Sequence, residues 1–187
     1  TIKSQPNGFR NFYIKMEFFL PFKIQDYPFN ISYGDKILFI GSCFSEEIGN
    51  KLKELKFDVL QNPNGILYDP VSIAAALFSY IDDNPFDDKN LFELNGIWHS
   101  WKHHSVFSGI NKIEVLEKIN TSRSCAHAFL KEAKVVIITL GTAFHYRLNK
   151  NKEFRANCHK APADFFIKKL LTIEEIKTFL VIKSKTV

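Results

Sequence analysis

Only three cysteines occur in 187 residues, Cys43, Cys125 and Cys158, and they form neither an even disulfide framework nor a C-x-x-C pair. No cysteine or histidine spacing matches a zinc-ligand pattern, so neither a metal nor another cofactor is predicted. Free thiols in a reducing compartment follow, and the predicted location is cytoplasmic. No apolar run approaches the roughly 18 residues of a membrane span, and the N-terminal stretch lacks the basic, apolar and small-residue order of a signal peptide. Blocks of basic residues are also missing. The net charge is +5 and the pI about 9.0, yet the lysines are scattered, which predicts a solvated basic surface and no nucleic-acid partner. Internal repeats and low-complexity tracts are absent.

What is present is a chain with 45% hydrophobic residues, enough to bury the core of one α/β domain. Met16 is the sole methionine, and Met16-Glu17-Phe18-Phe19-Leu20-Pro21 reads as a fresh start. Residues 1–15 are therefore expected to be a disordered or read-through segment, with the domain occupying 16–187. A helical pattern from Thr172 runs into Ile182-Lys183-Ser184-Lys185-Thr186-Val187 without a capping signal, so the domain is expected to be incomplete at its C-terminus.

Periodicity alternates between strand and helix, as βα units require. Lys36 to Ile40, led by the turn pair Gly34-Asp35, reads as a buried strand. Ser45 to Leu55 carries Ile48, Leu52 and Leu55 at helical spacing, with Glu46 and Glu47 near the positive end of the helix dipole. Phe57 to Leu60 is a second strand, ending at the turn Asn62-Pro63-Asn64-Gly65. Ser72 to Ile81 is helical and stops at Asp82-Asp83-Asn84-Pro85. A hairpin turns at Asn95-Gly96. Asn111 to Lys131 is helical in part. Val135-Val136-Ile137-Ile138-Thr139-Leu140 is apolar on both faces and belongs in a covered, largely parallel sheet flanked by helices.

Both strong strands end in glycine followed by hydroxyl or thiol residues, Gly41-Ser42-Cys43 and Gly141-Thr142. Ligands of open α/β sheets gather outside the carboxyl ends of the strands, which places these loops in one crevice. At such a turn, free N–H groups and the helix dipole favour a thiolate or an oxyanion. The same small residues would equally serve close packing of helix on strand.

Gly41-Ser42-Cys43-Phe44-Ser45 resembles the motif that names the GSCFA family, a bacterial family grouped with SGNH-type hydrolases. Asn62-Pro63-Asn64-Gly65-Ile66-Leu67-Tyr68-Asp69-Pro70-Val71-Ser72-Ile73 is similar to its second segment, and His104-Ser105-Val106-Phe107-Ser108 to a later one. Thr139-Leu140-Gly141-Thr142-Ala143 and Ala156-Asn157-Cys158-His159-Lys160 follow in the expected order, so the resemblance covers about residues 16–180. Ser45 stands where the family has alanine. The resemblance implies an SGNH-like, flavodoxin-like three-layer α/β fold and an esterase or acyltransferase acting on small-molecule or glycan acyl esters. It makes Cys43 or Ser42 the nucleophile, depending on register in the turn. Gly65 would donate an N–H to the oxyanion, although an Asn-Gly turn explains it as well. Gly141 ends the third strand without the usual asparagine, leaving Asn157 as a substitute donor.

The base is harder to place among six histidines. His99, His103 and His127 have only aromatic or helical surroundings, and His145 sits in a predicted hairpin. His104 and His159 lie in family-like segments, with His159 the better site candidate. The Asp-x-x-His pair that the resemblance implies is absent after His159, so the chain as it stands is expected to be inactive. A different class remains open: a binding domain whose Trp98, Trp101 and Phe107 stack on a sugar, against which stands ordinary core packing. A decayed remnant is the third reading.

Overall fold

Ile37-Leu38-Phe39-Ile40 is a run that only a strand covered on both faces can bury, and all four side chains are at most 2% exposed. They form the middle of the central strand in a computed structural model that describes residues 28–82 and 84–181. Its elements run β1 (Lys36–Gly41), α1 (Cys43–Glu54), β2 (Asp58–Gln61), α2 (Pro70–Asp82), β3 (Leu91–Leu94), β4 (Ile97–Ser100), α3 (Lys112–Glu132), β5 (Ala133–Thr139), β6 (Phe144–Leu148), β7 (Phe154–Arg155), β8 (Phe166–Leu170) and α4 (Ile173–Leu180). Two units divide the chain, Thr1–Asn30 and Ile31–Val187. Of the first only residues 28–30 are described, and the fold below is that of the second. The expectations for residues 1–15, for Met16 and for 182–187 lie outside the described residues.

The chain is α/β. A parallel sheet of order β2-β1-β5 forms its centre. Alternation along β1 sends Ile37 and Phe39 to one face, where Ile48 and Leu52 of α1 cover them with Val59, Val135 and Ile137. Leu38 and Ile40 face the other way, onto Ile73, Leu77 and Tyr80 of α2 and Ala126 of α3. Helices thus flank the sheet on both sides. Each fully buried aliphatic or aromatic side chain contributes about 1.5–3 kcal/mol, so β1 anchors the domain.

The remaining strands are antiparallel. Asn95 and Gly96 take positive φ, 54° and 76°, and close the β3–β4 hairpin expected from their sequence. β6 pairs with β7 and β8 in a sheet of order β7-β6-β8. Among the described residues no helix is long and apolar enough to cross a membrane.

The starts of α1 and α2, the continuity of α3 and the exposure of β5 differ from the expectations. Helix α1 begins at Cys43 rather than Ser45, making Ser42 its N-cap. Helix α2 begins at Pro70 because the Asp69 carboxylate accepts from Val71 N and Ser72 N, both at 3.1 Å, and proline suits the first helical position. Helix α3 is continuous over 21 residues. Strand β5 is not covered throughout: among the described strands it pairs only with β1, leaving Val136 39% and Ile138 36% exposed. Helix α4 follows the pattern expected from Thr172, which forms a capping box with Glu175.

Candidate functional site

The carboxyl ends of β1 and β5 meet at one hydroxyl. Thr139 Oγ1 lies 2.9 Å from Ser42 Oγ and 2.8 Å from Ser45 Oγ, and accepts the Ser42 N–H at 3.0 Å. The Ser42 N–H also reaches the Thr139 carbonyl at 3.1 Å. Gly41 makes this junction sterically feasible. Its φ is +140°, and a Cβ there would collide with the Thr139 carbonyl oxygen. Asn62, itself at φ 43°, ties the second loop to the same point by accepting the Gly41 N–H on Oδ1 at 2.9 Å.

This arrangement diverts Ser42 from its usual task. A serine at the N-cap ordinarily accepts from the second or third helical N–H. Here the Ser42 side chain makes no capping bond. The Cys43 and Phe44 N–H groups open α1 without a partner further back in the helix, and they sit at the positive end of its dipole. Cys43, the first helical residue, has an exposed thiol, whereas Ser42 is 8% exposed and bound to Thr139. Thr139 was not among the sequence candidates. It stands first in the family-like segment Thr139-Leu140-Gly141-Thr142-Ala143, but nothing in the sequence gives its hydroxyl a role.

The other expected site residues divide between this turn and elsewhere. Gly141 lies at the crevice, where a Cβ would stand 2.6 Å from the Tyr68 ring and 3.4 Å from Ser42 Cβ. Its N–H donates to the Tyr68 carbonyl at 2.9 Å. The Gly65 N–H closes a turn onto the Asn62 carbonyl at 2.7 Å, so it is spent within the loop. Gly65 takes φ +76°, and a Cβ there would strike His104. That glycine serves loop packing.

Asn157 and His159 sit against the β3–β4 hairpin, lining a cavity that includes none of residues 41–45. Asn157 Oδ1 accepts the His159 N–H at 2.8 Å, and His159 Nε2 lies 2.7 Å from the Ser100 carbonyl. Burial pulls the His159 imidazole down to about 4, with a backbone bond to Ser100 opposing the shift and His99 and His104 reinforcing it. None of the six histidines hydrogen-bonds to Ser42 or Cys43. His103 is buried against Ser100 Oγ at 2.7 Å, and burial lowers it to about 3. His145 is 1% exposed on β6. The aromatic candidates are consumed by packing: Trp101 stacks on Phe92 at 3.6 Å, and Phe107 lies with Trp98 in the cluster around Leu91 and Ile119. Among the described residues no group of three acidic, histidine or cysteine side chains could hold a metal ion.

Three of the five family-like segments meet at this crevice, and the sequence model of the GSCFA family matches residues 36–183. The chain belongs to the GSCFA family. No curated protein and no solved structure matches it. Within this GSCFA chain, the name-giving segment spans the end of β1 and the first turn of α1. Its glycine supplies close approach, its serine joins the strands, and its cysteine faces solvent.

Proposed function

We propose that this GSCFA chain is an SGNH-like acyl-ester hydrolase or acyltransferase whose nucleophile is Cys43. The observation that carries the reading is the uncapped start of α1. Because Thr139 holds the Ser42 hydroxyl, the Phe44 N–H is left, together with the Cys43 N–H that opens the helix, for the oxygen of an ester carbonyl, beside an exposed thiol. Attack by Cys43 Sγ forms a carbon–sulfur bond and breaks the ester carbon–oxygen bond, and the thiol proton leaves with the alcohol. Ser42 is the weaker choice, since its hydroxyl is buried in a bond to Thr139. None of the described histidines hydrogen-bonds to Cys43, so release of the acyl group is expected to be slower than its transfer to the thiol, and the thioester accumulates.

Cys125 provides an internal control, being an exposed thiol within α3. Incubation with a nitrophenyl ester of a short acyl chain, followed by peptide mass mapping, tests the proposal. A thioester forms on Cys43 about tenfold faster than on Cys125, disappears in Cys43→Ala and persists in Ser42→Ala. Equal acylation of Cys43 and Cys125, or acylation that survives Cys43→Ala and is lost in Ser42→Ala, overturns it.

A further inference from the structure

A cavity of about 550 Å³ opens at the β3–β4 hairpin, away from the Gly41-Ser42-Cys43 turn. Trp98 and Gly109 exchange backbone hydrogen bonds of 2.7 and 3.1 Å, forming an isolated antiparallel bridge. Their neighbours are His99 and Ser108, and the bridge brings Ser108 Oγ to 2.7 Å from His99 Nδ1. Both residues line the cavity. The imidazole is held by its neighbours: Phe92 stacks on it at 5.4 Å and His159 lies 4.6 Å away. Burial keeps it below its ordinary value of 6.5 against an opposing bond that the ring donates to the Leu94 backbone, so at neutral pH it is the uncharged form that accepts a proton.

The surrounding wall suits a particular class of ligand. Leu94, Ile97 and Ile110 supply apolar surface, and Lys160 is the one charged residue among the described lining residues apart from the histidines. Asn157 commits its carbonyl oxygen to the His159 N–H, leaving its amide NH₂ as a donor.

We propose that Ser108 and His99 form a second nucleophile and base pair, which takes an acyl group from small esters with an apolar acyl chain. Ser108 Oγ bonds to the carbonyl carbon, the ester carbon–oxygen bond breaks, and His99 Nδ1 receives the hydroxyl proton and passes it to the departing alkoxide. Ser100 and His103 make the same contact at 2.7 Å, but neither lines this cavity, and Ser100, the hydroxyl partner, is 2% exposed. They are the structural counterpart against which Ser108 is read.

Phenylmethylsulfonyl fluoride is the probe: attack on sulfur expels fluoride and leaves a stable sulfonyl ester. Trypsin cuts after Lys102 and so separates Ser100 from Ser105 and Ser108. The expected result is one sulfonyl group on Ser108 in the wild-type chain, none in Ser108→Ala, and about a hundredfold slower labelling in His99→Gln. Labelling of Ser100 or of exposed Ser105 in place of Ser108, or no serine adduct at all, overturns the proposal, and the wild-type chain alone decides these. Wild-type labelling rates in a cooperatively folded His99→Gln variant also overturn it. The adduct and a Cys43 thioester fall on different peptides, so either proposal fails without the other.

Discussion

Thr139 decides what the Gly41-Ser42-Cys43 turn can do. One hydroxyl has a single proton to give and two lone pairs, and here it meets two serine hydroxyls and one N–H. The glycine, serine and cysteine were legible as a site because they are contiguous in a strand-turn-helix pattern. Thr139 was not, because Ser42 and Ser45 lie 97 and 94 residues before it. No local pattern reveals a partner across a parallel pair. Thr139→Val keeps the shape and β-branching but removes the hydroxyl, leaving both serine hydroxyls short of a partner at a cost of about 2 kcal/mol. The freed Ser42 then caps α1, returning roughly 1 kcal/mol and competing for the Phe44 N–H, one of the two donors assigned to the oxyanion. Urea denaturation is therefore expected to show a net loss near 1 kcal/mol, while acylation of Cys43 falls by more than about tenfold. Thr139→Ser restores both readouts; acylation at the wild-type rate in Thr139→Val would remove the cap argument.

At the scale of elements, periodicity located β1, α2 and the hairpin because burial and turn chemistry act within a few residues there. It did not distinguish a central strand from an edge strand, since both β1 and β5 read as apolar runs. What separates them is pairing: β1 has a neighbour on each side and β5 has one among the described residues. Ile40 and Ile138 are register partners on adjacent strands, yet Ile40 is 0% exposed and Ile138 36%. Truncating each to alanine tests this difference. Ile40→Ala leaves a cavity beneath α2 and α3 and is expected to cost about 3 kcal/mol. Ile138→Ala, already in contact with solvent, is expected to cost roughly 1 kcal/mol in the same urea titration. Equal losses would mean that β5 is covered on its outer face. The start of α2 escapes the pattern for a related reason: Asp69 sets it by side-chain bonds that a count of apolar residues does not register.

For the whole molecule, the buried imidazoles couple folding to pH. His103 and His159 titrate near 6.5 when unfolded, but burial brings them to about 3 and about 4 in the folded chain, and His99 and His145 are shifted the same way. A depressed histidine stabilises the fold fully above 6.5 and surrenders that stability as pH falls toward its folded value, because the unfolded chain takes up the proton first. Carboxylates bonded to lysine, such as Asp35 and Glu175, are held at about 2, so their losses begin only below their ordinary values of 3.8 and 4.5. Asp69, raised by burial, works in the opposite sense and gains as pH falls. The interval from pH 6.5 to 5 therefore belongs to the histidines. Within it, the free energy from urea denaturation is expected to drop by on the order of 1 kcal/mol per pH unit for each of His103 and His159. His103→Gln retains an amide for Ser100 and cannot titrate. It should lower that slope by on the order of 1 kcal/mol per pH unit while lowering stability at pH 7, and an unchanged slope would show that His103 takes up its proton as readily in the fold as in the unfolded chain.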